Sequence, residues 1–205
     1  MPRPADTTVR ERLIDVATDL LAAGEEVTLR KVANAADTST MGVYTHFDGM
    51  PGLMYAVRER AFARLAAELI ALRPTTDPVA DLVSTGSAYV FAALADPALY
   101  RVMFDIGRDP RQPMSASMTF AVLVAGVERA QADDRLDPKV EPIPAATQLW
   151  AMTHGVVSLV LAEALPTAAL DEHLPPMYTA QLVAWGDGPR RAPASVRRGW
   201  RRPAS

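Results

Sequence analysis

Apolar residues recur at spacings of three and four through most of the chain, and no stretch sustains the alternation of apolar and polar positions that a strand requires. This periodicity predicts an all-α protein. A first helix over about Thr7 to Ala23 sets Val9, Leu13, Val16, Ala17, Leu20 and Leu21 on one side and stops at Gly24. Leu29, Val32, Ala33 and Ala36 mark a second, short helix that Thr28 is placed to cap; a third begins at the capping residue Ser39 and buries Val43 and Phe47. A fourth runs from about Pro51 to Leu72 and is long enough to join two parts of the molecule. Arg73-Pro74 breaks it. Helices over Pro78 to Leu94, Pro97 to Phe104, Met114 to Ala132 and Pro144 to Leu165 follow, and a last one covers Pro176 to Trp185.

The second and third helices are unusual in what they leave outside. With the apolar stripe buried, Arg30 and Lys31 face water on one, and Thr40, Met41, Tyr44, Thr45 and His46 project from the other. A support helix, a tight polar turn and a short helix with a polar and aromatic face is the helix-turn-helix arrangement, in which the second helix enters the major groove. Periodicity alone fits an ordinary helical hairpin with a solvated face about as well.

The identity of the residues distinguishes the two. Thr28, Arg30, Val32, Ala33, Ser39, Val43, Tyr44, His46, Phe47 and Leu53 resemble the signature of the tetracycline-repressor (TetR) family of transcriptional regulators. That signature runs from a Thr opening the second helix to an aromatic-x-His-Phe end of the third. The resemblance implies an N-terminal three-helix DNA-binding domain followed by a larger helical domain for ligand binding and dimerisation. It places Thr28, Arg30, Lys31, Thr38, Ser39, Thr40, Met41, Gly42, Tyr44, Thr45 and His46 at the DNA. Arg30, Thr40, Met41 and Gly42 would meet base edges, Arg30 being the candidate for guanine, while Thr28, Ser39, Tyr44 and His46 would fix register on phosphates. Two positions depart from the family pattern. Asp37 stands where the turn usually has Gly, and Asp tolerates a left-handed backbone better than most residues. Met50 stands where a phosphate-contacting Lys is usual, which leaves backbone amides and the helix dipole for that contact.

A second motif lies downstream. Trp150, His154 and Gly155 form W-x-x-x-H-G, and with Tyr89-Val90-Phe91, Asp96-Pro97 and the segment from Tyr100 to Phe104 this resembles the TetR regulatory domain named for those three letters. The resemblance implies an effector pocket and a homodimer. By spacing, Trp150 and His154 share a helix face with Val157 and Leu161; a core Trp beside a His satisfied by a carbonyl would have the same spacing. Phe91, Met103, Phe104, Met118, Trp150 and His154 are the candidate lining for a small, largely apolar effector. On another face of the same helix Ala151, Gly155, Ser158 and Ala162 form a row of small side chains, fitting a two-fold contact with another subunit or tight packing within one. A dimer would read two half-sites of a palindromic operator on double-stranded DNA, ~34 Å apart.

Charge adds a constraint rather than support. The chain carries 21 Lys+Arg against 24 Asp+Glu, a net charge of -3, and residues 1–60 hold seven basic against nine acidic side chains. Attraction to DNA must be local, through Arg3, Arg10, Arg12, Arg30 and Lys31, and its salt dependence shallow. The chain has no Cys and three His, with neither an H-E-x-x-H spacing nor a phosphate loop, so nothing points to a metal, a cofactor or catalysis. An enzyme or a protein-interaction module built around His154 is the rival reading. The longest apolar run, Gly155 to Leu165, is too short to cross a bilayer, and the N-terminus lacks the apolar run of a signal peptide, so no membrane partner and a cytoplasmic location are expected. The expected domains are 1–50 for DNA binding, 51–185 for effector and dimerisation, and 186–205 as a disordered tail whose six Arg fit sequence-independent attraction to DNA and a plain solvated extension equally well.

Overall fold

The structure is a computed structural model and describes residues 4–104 and 113–201. Among them are ten α-helices and no strand. They are α1 (Pro4–Ala22), α2 (Leu29–Ala35), α3 (Thr40–Phe47), α4 (Met50–Ile70), α5 (Pro78–Ala95), α6 (Pro97–Met103), α7 (Met114–Ala132), α8 (Pro142–Leu161), α9 (Ala169–Ala184) and α10 (Arg191–Gly199). Arg3 and residues 202–205 of the expected tail lie outside the described residues.

The chain divides into two compact units, one of residues 1–64 with 96–116, the other of residues 65–95 with 117–205. This differs from a single cut at residue 50. The start of α4 belongs with α1 to α3 because Leu53, Ala56 and Val57 complete their core, and α6 joins them through Val102 and the partly buried Leu99. The centre of this first unit is Leu13, Ile14 and Ala17 of α1, Val32 and Ala33 of α2, and Val43 and Phe47 of α3. Arg60 of α4 pairs with Glu11 and Asp15 of α1, closing the same layer with charge.

In the second unit α5 runs against α8 and α10, and α9 packs on both of those. Val79, Leu82, Val83, Val90, Leu149, Val157, Leu174, Tyr178, Leu182 and Val196 form its core. Helix α5 has the length and composition to cross a bilayer, yet most of it is buried among its neighbours. Tyr178 is wholly buried, its hydroxyl 2.7 Å from Thr153 Oγ1, and burial pushes its ionisation up to about 12.

Two expectations are corrected here. Helix α9 begins at Ala169 rather than Pro176 and runs through Pro175 and Pro176. Burial of Ala169, Leu170 and Leu174 outweighs the two N–H donors that the prolines remove. The tail from residue 186 is not disordered over its described part: it forms α10. Ala192, Ser195, Val196 and Gly199 recur at three, one and three residues and make a narrow buried stripe. Gly199 lies so close to α5 that a β-carbon there would sit 2.2 Å from the Ala80 carbonyl oxygen. Ser84 Oγ and Ser87 Oγ of α5 donate to the carbonyls of Gly199 and Arg201 at 3.2 and 3.0 Å, and Trp200 Nε1 donates to Asp171 at 2.8 Å.

Candidate nucleic-acid interface and effector pocket

Helix α2 starts where Thr28 Oγ1 accepts the Lys31 N–H at 3.3 Å, and α3 where Ser39 Oγ accepts the Gly42 N–H at 3.2 Å. Between them Asp37 takes a left-handed conformation, φ 51°. The Asp37 N–H bonds to the Asn34 carbonyl at 3.2 Å and the Thr38 N–H to the Ala33 carbonyl at 2.9 Å, the paired bonds of a Schellman turn with Asp in the place of Gly. The turn therefore fixes where α3 leaves. Gly42 faces Thr38, whose Oγ1 would lie 2.6 Å from a β-carbon at that position, so the first turn of α3 closes tightly on the preceding loop.

With Val43 and Phe47 buried, α3 presents Met41 at 69% exposure and Tyr44 at 53%, flanked by exposed Ser39, Thr40 and Thr45. His46 is half-buried beside Phe47. Thr45 Oγ1 donates to the Met41 carbonyl at 2.9 Å. The Tyr44 ring lies against Gly49, whose φ of 94° and lack of side chain make room for it.

The basic side chains differ in availability. Arg10 stacks over Phe47 at 5.1 Å and pairs with Glu11, and Arg12 donates to the Ala36 carbonyl at 3.5 Å. Lys31 pairs with Glu25 at 3.5 Å, an exposed contact that costs little to exchange for a phosphate. Arg30 is exposed and, among the described residues, has no carboxylate within ion-pair distance.

The six residues proposed to line an effector pocket are divided between the two units. Met103 and Phe104 belong to the first unit, where Phe104 meets Phe62 edge-on at 5.7 Å and Tyr100 at 4.9 Å. In the second unit Met118 is 51% exposed and Phe91 is half-buried. Trp150 and His154 do form a cluster. Trp150, 40% exposed, meets Phe120 edge-on at 6.3 Å and His154 at 6.1 Å. His154 Nδ1 is 3.0 Å from Tyr89 Oη, and its Nε2 is 3.3 Å from Ser158 Oγ. Burial lowers the basicity of His154 and favours the neutral imidazole. Phe120 and Ser158 were not assigned to a pocket from sequence. Phe120 is on α7, and no local spacing connects that helix to α8.

On the other side of α8, Ala151, Gly155 and Ala162 are exposed, whereas Ser158 turns its hydroxyl toward His154. A β-carbon on Gly155 would meet nothing within 4 Å. Ile143, 63% exposed, and Leu159 extend this row at intervals of four residues, and Met177 of α9 is also exposed.

Residues 82–182 match the family model described as the tetracyclin repressor-like C-terminal domain, and the Trp150-His154-Gly155 motif lies within them. The chain belongs to the TetR family. This makes the protein a DNA-binding transcriptional regulator rather than an enzyme. Solved structures share the fold of this TetR-family chain. A protein of unknown function from Rhodococcus sp. RHA1 has a TM-score of 0.74 at 24% identity, over 86% of this chain and 94% of its own. RolR in complex with its ligand resorcinol has a TM-score of 0.69 at 17% identity, over 97% of both chains. A TetR family transcription regulator from Marinobacter aquaeolei VT8 has a TM-score of 0.65 at 16% identity, over 91% of this chain and all of its own, 100%. No curated protein matches the chain by sequence.

Proposed function

We propose that this TetR-family protein is a cytoplasmic, ligand-responsive repressor that binds a palindromic operator as a homodimer and is released by a small, largely apolar effector. The observation that carries the reading is α3, a short helix held by a Schellman turn and a Ser39 cap, with Met41 and Tyr44 turned out to solvent. Arg30 is the side chain best suited to a guanine edge, since among the described residues its guanidinium forms no competing pair. Thr28, Lys31, Thr38, Ser39, Tyr44, Thr45 and His46 then serve register on the backbone.

The exposed row of Ile143, Ala151, Gly155, Leu159 and Ala162 supplies the surface for a second copy of the chain. One eight-residue helix reads few base pairs, and two joined by this face read a palindrome.

For the effector, Tyr89, Phe120, Trp150 and His154 offer ring faces with a hydroxyl and a neutral imidazole among them, a surface suited to a small ring compound with a polar substituent. Resorcinol, the ligand of the structurally similar RolR, is of that kind. A single residue, Asp96, separates the end of α5, which carries Tyr89, from α6 in the reading unit. A shift of α5 on ligand binding is thereby passed along the backbone to Leu99 and Val102, which touch the core of α1 to α3. Coupling of this kind is reciprocal, so operator DNA weakens effector binding by the same factor.

The test is Tyr44→Ala in a gel-shift titration against duplex DNA from upstream of the protein's own coding region, with the oligomeric state followed by light scattering. Loss of specific binding with an intact dimer is the expected result. Unchanged affinity overturns the assignment of α3.

A further inference from the structure

A cleft of about 690 Å³ lies in the second unit, between the segment leading into α5 and helix α10, away from the Trp150–His154 cluster. Five arginines line it, at 135, 190, 191, 198 and 201, against two carboxylates, Asp77 and Asp81. Its floor is built: Arg135 and Ser195 are 5% and 0% exposed.

The carboxylates here are already used. Asp77 accepts from Arg135 at 2.7 Å, from Ser195 Oγ at 2.7 Å, from the Ala80 N–H at 3.2 Å and from Arg198. Asp81 accepts from Arg129 at 2.5 Å and from the backbone and hydroxyl of Thr75 at 2.8 and 2.7 Å. Asp187, just behind, holds Arg135 by a two-pronged contact, both arms 2.9 Å. Among the described residues no carboxylate is within ion-pair distance of Arg190, Arg191 or Arg201. The fold thus gathers three uncompensated guanidiniums around one recess in a chain whose net charge is -3.

We propose that this cleft binds a small molecule through a multiply charged phosphate group, at a site separate from the effector pocket. Guanidinium forks pair two donors at a time with phosphate oxygens, and three of them exceed what the two oxygens of one carboxylate can accept. A concave site of this size has the dimensions of a small-molecule pocket, whereas the phosphates of a duplex present a convex ridge. Arg135 and Ser195 fix the floor, and Arg190, Arg191 and Arg201, at the two ends of α10, supply the grip.

The experiment is calorimetric titration of the full chain with inorganic pyrophosphate at constant ionic strength, with citrate as the polycarboxylate arm. Saturable binding of pyrophosphate, tighter than that of citrate, is expected. The double variant R190A/R191A should weaken it by at least about tenfold, the loss of two charge-assisted contacts. Both side chains are exposed, so circular dichroism of the variant should match the parent; R201A provides an independent variant at the opposite end of α10. Absence of saturation, equal affinity for citrate, or affinity unchanged in both variants overturns the proposal. So does a result in which pyrophosphate fails to saturate while R190A/R191A lowers the salt slope of duplex binding, which would reassign the arginines to DNA.

Discussion

Gly86 lies where any β-carbon would come 1.9 Å from the Tyr178 hydroxyl and 2.8 Å from the ring carbon that bears it. The hydroxyl cannot retreat, because it is held to Thr153 inside a fully buried site. Gly86→Ala should therefore cost about 1–3 kcal/mol through overpacking. Adding Tyr178→Phe removes the nearest clashing atom but leaves the ring, so the double variant should lose less than the sum of the two single losses. Urea unfolding of the three variants checks this, and strict additivity would show that the clash is absorbed elsewhere. Residue by residue, sequence reading succeeded where a residue's own chemistry decides. The left-handed Asp37 and the caps Thr28 and Ser39 are of that kind. It could not single out Gly86 or Phe120, whose roles depend on side chains from helices distant in the chain.

Among the elements, the helices with long apolar stripes were legible to within a few residues, since a buried stripe is a property of each segment alone. Helices α9 and α10 were not. Two prolines in α9 look like a beginning, and the run of arginines in α10 masks a stripe made mostly of small residues. In both, the tertiary contact decides. Pro175 and Pro176 offer no N–H to the helix, and Asp171 and Glu172, one turn before them, are exposed to water. The exposed face of α8 leads to a prediction at this scale. Since a side chain on Gly155 enters open space within the subunit, Gly155→Trp should leave the fold intact. In the proposed dimer the same ring falls between two closely packed helices. It should raise the dimer dissociation constant roughly ten- to a hundredfold and abolish operator binding, with Gly155→Ala remaining dimeric. Analytical ultracentrifugation over a concentration series reads this directly. A dimer undisturbed by Trp would move the interface away from α8.

For the molecule as a whole, acid should act in two steps, set by groups in different parts of the second unit. His154 has its basicity lowered by burial, so the folded state binds a proton less readily than the unfolded chain does. Its contribution to stability is complete above its ordinary value of 6.5 and declines as the pH falls below it. The second step belongs to Asp77. Burial raises its proton affinity, but hydrogen bonds from Arg198, Ser195, Arg135 and the Ala80 N–H outweigh that and hold the carboxyl well below the ordinary 3.8. Stability from this group is present above 3.8 and is lost as the pH falls through and below it. Thermal unfolding between pH 8 and 3 should thus show a shallow fall beginning near 6.5 and a steeper one near 3.8. His154→Gln should flatten the first step alone. Asp77→Asn should lower the neutral plateau, because Arg135 would keep only Asp187 as a charged partner, and should leave the second step weaker. Removing Asp187 should be costlier still, about 3–5 kcal/mol, since its two-pronged contact with Arg135 is the most deeply buried ion pair of the cluster. If Asp77→Asn and the parent showed the same acid limb, the tie between the start of α5 and α10 would not be the element that fails first.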